Sequence, residues 1–144
     1  MIELVEDRLD IDTYLELRQS VQFRELTRDQ AKKGLSNSLY TVVAFKDGKA
    51  VGMGRIVGDG AIICYVQDLI IRPEVQGEGI GGLILETLKK FVIQEGYEGT
   101  TMMFDLMCAK GREEFYKKHG FIARPTKDLG PGMIQFIQIG SDEQ

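Results

Sequence analysis

The spacing of apolar positions changes repeatedly along the chain, and each change predicts an element. Ile2 to Val5 reads as a short strand. Asp12 or Thr13 caps a helix running to about Phe23, with Tyr14, Leu15, Leu17 and Val21 as its apolar stripe. Thr27 and Gln30 have capping-box spacing, which predicts a second helix over 28–34. Leu39 to Phe45 and Ala50 to Val57 are rich in β-formers and flank Asp47-Gly48, a hairpin turn. After Gly58-Asp59-Gly60, the run Ala61–Arg72 is almost continuously apolar, as a central strand covered on both faces should be.

Pro73 ends that strand. From Ile80 to about Glu95 apolar residues recur at 80, 83, 84, 88, 91 and 92, an amphipathic helix closed by Gly96. Thr100–Met107 predicts another strand and Gly111–His119 a short helix. Phe121–Arg124 with Met133–Ile139 is expected to form a closing hairpin. No linker or repeat interrupts the pattern. The fold class is α+β, a single domain over 1–144, with a mostly antiparallel first half and a β-α-β unit in the middle.

Composition then removes several functions. Eighteen basic against 22 acidic residues give a net charge of −4, which disfavours nucleic-acid binding. No apolar run approaches the roughly 18 residues of a membrane span. Cys64 and Cys108 lie singly in apolar runs and read as buried reduced thiols. With no signal peptide at Met1-Ile2-Glu3-Leu4, a cytoplasmic location is expected. One histidine and two distant cysteines do not make a zinc site, so no metal is expected. His119, before Gly120, reads as a helix-end residue. Met102, Met103 and Met107 read as core filling, and Gly52 and Gly54 as points of close approach or a bulge.

Glycine is the departure from the average: 17 residues, four of them (Gly77, Gly79, Gly81 and Gly82) within six positions. They join a buried strand to a helix start, where exposed backbone N–H groups and the helix dipole suit a pyrophosphate without metal or basic side chain. The plain alternative is a strand-helix turn, which needs only one or two glycines. Gly77, Gly79 and Gly82 also satisfy the dinucleotide fingerprint, with Asp105 at about the right distance. Five residues separate that loop from its strand, however, and too little chain follows for a second mononucleotide half. The Gly-Lys-Ser/Thr of a Walker loop is missing.

A third pattern fits. Gln76-x-x-Gly79-x-Gly81 after Leu69-Ile-Ile-Arg-Pro73 resembles the acetyl-coenzyme A signature of the GCN5-related N-acetyltransferases (GNAT). Phe115-Tyr-Lys-Lys-His-Gly-Phe121 is similar to that family's distal motif, although Ala109 and Arg112 stand where many members have Asn and Ala. The stretch from Phe121 through Gly130-Pro-Gly-Met133 resembles members that act on small amines.

The resemblance implies a sheet with a central V-shaped split, about four flanking helices, and acetyl-CoA as the donor. The backbone of Leu69, Ile70 and Ile71 would hold the pantetheine arm, one N–H polarising the thioester carbonyl. Gln76, Gly77, Glu78, Gly79, Ile80, Gly81 and Gly82 would wrap the pyrophosphate. Tyr116 matches the general acid that protonates the departing thiolate. The family often sets a carboxylate or histidine near 65 or 67. Here those positions are Tyr65 and Gln67, and Asp68 is the candidate base, acting through a β-bulge or an ordered water, with a buried structural carboxylate as the alternative reading. Strict period two puts Tyr65, Gln67, Leu69 and Ile71 on one face and Asp68 on the other. The implied reaction is direct acetyl transfer to a primary amine in a ternary complex, the acceptor lying near residues 12–36 and the closing hairpin. Transfer to a protein N-terminus or lysine, and a non-catalytic acyl-CoA sensor, are the rival readings. Dimerisation is left open.

Overall fold

The structure, a computed structural model, describes residues 1–140. Among them the elements run β1 (Ile2–Glu6), α1 (Ile11–Ser20), α2 (Arg28–Ser36), β2 (Tyr40–Lys46), β3 (Lys49–Gly58), β4 (Ile63–Ile71), a 3-10 turn over Pro73–Val75, α3 (Ile80–Glu95), β5 (Met103–Leu106) and α4 (Glu113–Lys118). They fall into two compact units, Met1–Cys108 and the segment from Ala109 onward.

In the first unit the sheet order is β1-β2-β3-β4-β5, antiparallel up to β4 and parallel between β4 and β5. The sequence places each turn. Asp59 accepts backbone N–H bonds from Ala61, Ile62 and Ile63 through one oxygen, at 2.9, 2.8 and 3.0 Å, which fixes the reversal into β4. Thr27 and Gln30 form the expected capping box of α2. The cap of α1 is Asp10 rather than Asp12 or Thr13: its carboxylate accepts from the Thr13 N–H at 2.7 Å. Asp12 instead pairs with Arg28 at 2.7 Å on the surface, and the helix stops at Ser20.

Two apolar layers cover the sheet. One gathers Val42, Ala44, Ile56, Cys64 and Val66 with Ile80, Ile84, Leu88 and Val92 of α3. The other gathers Met53 and Ile70 with Tyr14 and Leu17 of α1 and Ala31 of α2. Gly54 lets α3 settle close to β3, since a Cβ there would lie 2.7 Å from Ile84 Cγ2 and 3.0 Å from Leu88 Cδ1.

Several expectations are corrected. No strand forms over Phe121–Arg124 or Met133–Ile139, so the closing hairpin is absent among the described residues. Pro125 and Pro131 each remove a ladder donor, and Gly130 and Gly132 weaken the extended state between them. Met133, Phe136 and Ile139 are exposed, so an apolar alternation here does not mark a buried face. Cys64 is buried as expected, but Cys108 is exposed because β5 ends at Leu106. Met103 and Met107 are also exposed; only Met102 of that trio packs against the α3 layer.

Candidate functional site

The strand β4 carries an irregularity that sets the site. Arg55 pairs with Asp68 but Ile56 pairs with Val66, so Gln67 is an extra residue, a β-bulge. The bulge reverses the alternation. Cys64 and Val66 face α3 before it, and Leu69 and Ile71 face α3 after it. Tyr65 therefore shares its face with Asp68 and Ile70, not with Leu69 and Ile71, which corrects the period-two expectation.

The pairing of β4 with β5 covers only Ile63↔Met103 to Val66↔Leu106. Beyond Val66, β4 continues to Ile71 without β5 beside it, and the sheet is split there. Backbone alternation says which groups face the gap. The Arg72 N–H bonds Val51 O at 2.8 Å, toward β3. Stepping back by one and three residues turns Ile71 and Leu69 the other way, into the gap. The Ile71 carbonyl accepts from the Gln76 side-chain amide at 3.0 Å, consistent with that direction. Ile70, expected in the same group, turns its backbone toward β3 and its side chain into the α1/α2 layer.

The gap leads to the glycine loop. Gly79 caps α3 with φ +85°, a left-handed conformation that a side-chained residue adopts only with strain, and no side chain caps this helix end. Ile80, Gly81 and Gly82 form the first turn of α3, so their N–H groups are helix-end donors. A Cβ on Gly77 or Gly79 would meet nothing within 4 Å, and Gln76 to Gly79 are exposed. The loop's one acidic residue, Glu78, is neutralised by Lys46 at 2.8 Å from the end of β2. Free N–H groups at a dipole's positive end beside an open strand edge fit a long ligand with an anionic end and an amide-bearing arm.

Asp68 is 2% exposed and surrounded by donors. Its Oδ2 accepts from the Tyr14 hydroxyl at 2.7 Å and Arg55 Nε at 2.8 Å, and its Oδ1 from Arg18 at 3.3 Å. Burial, with Asp68 beside it, raises the Tyr14 phenol. Arg55 continues to the Gly34 carbonyl and the Ser38 hydroxyl at 3.0 and 3.1 Å. The sequence reading missed these partners. The signals were the i, i+4 spacing of Tyr14 and Arg18 and an arginine inside an otherwise apolar strand.

On the same face a groove of about 300 Å³ runs between the end of α1 and the approach to α2, lined by Arg18, Gln22, Phe23 and Glu25 among others. Arg18 lies with its guanidinium 5.4 Å from the Phe23 ring centre.

In the second unit Tyr116 is half-buried on α4. Its ring meets Phe115 edge-on at 5.0 Å and Phe121 at 5.8 Å. Its carbonyl accepts from the His119 and Phe121 N–H groups at 3.0 and 3.2 Å, which closes the helix, with Gly120 at φ +93°. His119 is the C-terminal cap residue of α4.

A split sheet with a glycine loop at the head of the following helix is the architecture that the resemblance to the N-acetyltransferases implies. The family model described as the acetyltransferase (GNAT) domain matches residues 37–123, and the chain belongs to that family. A solved Staphylococcus aureus protein of unknown function, described as a probable acetyltransferase, is 29% identical with a TM-score of 0.83. That match covers 95% of this chain and all of the other. A GNAT-family acetyltransferase from Streptococcus pneumoniae is 28% identical, TM-score 0.79, over 96% and 99% of the two chains. An uncharacterized ycf52-like N-acetyltransferase of Prochlorococcus marinus is 28% identical over 81% of this chain and 65% of its own length. The chain spans about a third to two thirds of the curated relatives it matches, 30% for a chloroplastic GCN5-related N-acetyltransferase of Arabidopsis thaliana. Among the described residues no helix is long and apolar enough to cross a membrane, and no cluster of metal-binding side chains occurs.

Proposed function

We propose that the chain works as one acetyl-CoA-dependent N-acetyltransferase domain acting on a small primary amine. The observation that carries this reading is the continuity of the open β4 edge at Leu69 and Ile71 with the uncapped head of α3. Acetyl-CoA supplies an activated acyl group on a thiol that leaves readily. Leu69 and Ile71 hold its arm as an added strand would be held, and an N–H of that edge polarises the acyl carbonyl. Gln76 braces the start of the loop through the Ile71 carbonyl, and the backbone from Gly77 to Gly82 takes the phosphates.

Asp68 is better suited to positioning than to proton transfer, because both of its oxygens are occupied by donors. It ties β4 to β3 and α1 and keeps the bulged strand in one place. Tyr116 is proposed as the acid on its motif position. A phenol near pKa ~10 can protonate a thiolate near ~8.5. The groove between α1 and α2, with mixed charge, suits a small amine better than a long peptide.

The test is release of free thiol from acetyl-CoA on addition of spermidine, phenylethylamine, tobramycin or a short peptide with a free N-terminus. Release with one of the first three supports the proposal. Release only with the peptide favours a protein acetyltransferase. Tight acetyl-CoA binding without any amine-dependent thiol favours a sensor, and no binding of acetyl-CoA overturns all three.

A further inference from the structure

Asp105 is a half-buried carboxylate that none of the roles above uses. It sits on β5 opposite Tyr65 in the parallel register, one rung before the pairing ends at Val66↔Leu106. Register partners in a parallel pair project to the same side. Met102, Phe104 and Leu106 pack toward α3, so Asp105 and Tyr65 lie on the other face, the one that carries Asp68 and the α1/α2 groove. The pair therefore marks the apex of the split, two residues along β4 from the bulge at Gln67.

Its polar partners are few. Among the described residues Asp105 Oδ1 is buried without a hydrogen-bond partner. A carboxylate oxygen in that state has lost its water without gaining a donor, which costs stability. Burial raises the carboxyl above its ordinary value, only partly offset by its own backbone N–H. Asp68, three residues after Tyr65 on β4, is in the opposite condition: buried, but saturated with donors.

We propose that Asp105 is the general base of this site: set beside Tyr65 at the apex of the split, its carboxylate receives the acceptor's ammonium and takes a proton from it. The inference rests on the acetyl-transfer reading above. A primary alkylamine is an ammonium near neutral pH, with a pKa of about 10.4, and carries no free electron pair. An ammonium N–H meets the orphaned Oδ1, and Asp105 accepts that proton to give a neutral amine and a carboxylic acid. The nitrogen pair then forms the C–N bond to the acyl carbon, and the C–S bond breaks with its electron pair going to sulfur. The nitrogen loses a second proton, the thiolate gains one, and Asp105 returns its proton to solvent. In sum an ammonium and a thioester give an amide, a thiol and one released proton. Burial favours this role, because a carboxyl raised toward neutrality is a stronger base than an exposed aspartate. Tyr65 borders the same position, and its phenol is itself pushed up by burial and by Asp105, so it stays protonated as a neutral hydrogen-bonding wall.

Asp105→Asn is the test, in the full chain, with the amine that supports thiol release by the wild type. The expected result is a fall in kcat/KM for the amine of about 10²-fold or more, with acetyl-CoA affinity within about twofold. The acidic limb of the kcat/KM profile should also disappear, Tyr65 being the titratable group that faces Asp105 from β4. The melting temperature at neutral pH should be equal or higher, since the substitution removes a penalised buried charge. Activity within threefold of wild type overturns the inference and leaves the acetyl-transfer reading intact. A lowered melting temperature in both Asp105→Asn and Asp105→Ser marks the carboxylate as structural and also overturns it. If the wild type itself releases no thiol with any of the four amines, the transfer reading fails first, and this inference with it.

Discussion

Arg55 and Asp68 meet across β3 and β4, Nε to Oδ2 at 2.8 Å, on the rung where the ladder slips by one residue. Asp68 also collects Tyr14 and Arg18. Asp68→Ala would leave two guanidinium groups without their anion, and loss of one partner from a buried ion pair costs about 3–5 kcal/mol. Urea unfolding should show this as a large drop in midpoint, with Asp68→Asn falling in the same direction. If Asp68→Asn keeps wild-type stability and loses turnover, the carboxylate is a reacting group after all.

Gly54 faces α3 with no room for a methyl group: the nearest atoms to an added Cβ are Ile84 Cγ2 and Leu88 Cδ1, at 2.7 and 3.0 Å. Gly54→Ala should cost about 1–3 kcal/mol by overpacking. Combining it with Ile84→Ala should recover part of the loss. A double-mutant cycle on the two sites should therefore give a coupling energy clearly different from zero.

Tyr116→Phe removes the phenol while keeping the ring contacts with Phe115 and Phe121. Turnover should fall by about 10²-fold, with acetyl-CoA binding nearly unchanged. Calorimetric titration and amine-dependent thiol release measure the two quantities separately. Undiminished turnover would remove Tyr116 as the acid.

Asp59 accepts three N–H groups through one oxygen, and those bonds lower its carboxyl below the ordinary range. A depressed carboxyl stabilises the fold above its unfolded pKa of about 3.9, and that stabilisation fades as pH falls through the lower folded value. Asp59→Ala should melt about 3 °C below wild type at pH 7. The gap should narrow when melting is repeated between pH 4 and pH 2; a gap independent of pH would assign the effect to the turn's shape rather than its charge.

The elements that were legible in the sequence are those with a local cause. The capping box at Thr27 and Gln30, the Asp47-Gly48 turn and the stripe of α3 all form where their spacing places them. The bulge at Gln67 has no local signature, because an apolar run offers no alternation to break. Its effect on Tyr65 and Asp68 was therefore hidden. Met133–Ile139 failed in the opposite sense: a good strand pattern forms no strand among the described residues, and its apolar side chains are exposed. For the site, the glycine loop was readable because its chemistry lies in the backbone and its residues are contiguous. The Tyr14–Arg18–Asp68–Arg55 cluster was not, since its members come from three elements and meet only after folding.

The single extra residue at Gln67 means that β4 is written in two reading frames. In the first, even-numbered positions belong to the α3 layer; in the second, odd-numbered positions do. Deleting Gln67 would merge the frames and turn Asp68 and its charge into the α3 layer, while delivering Leu69 to the arginines of the other face. Substitution within either frame is a matter of fit, but a change in length here rewrites both sides of the sheet at once.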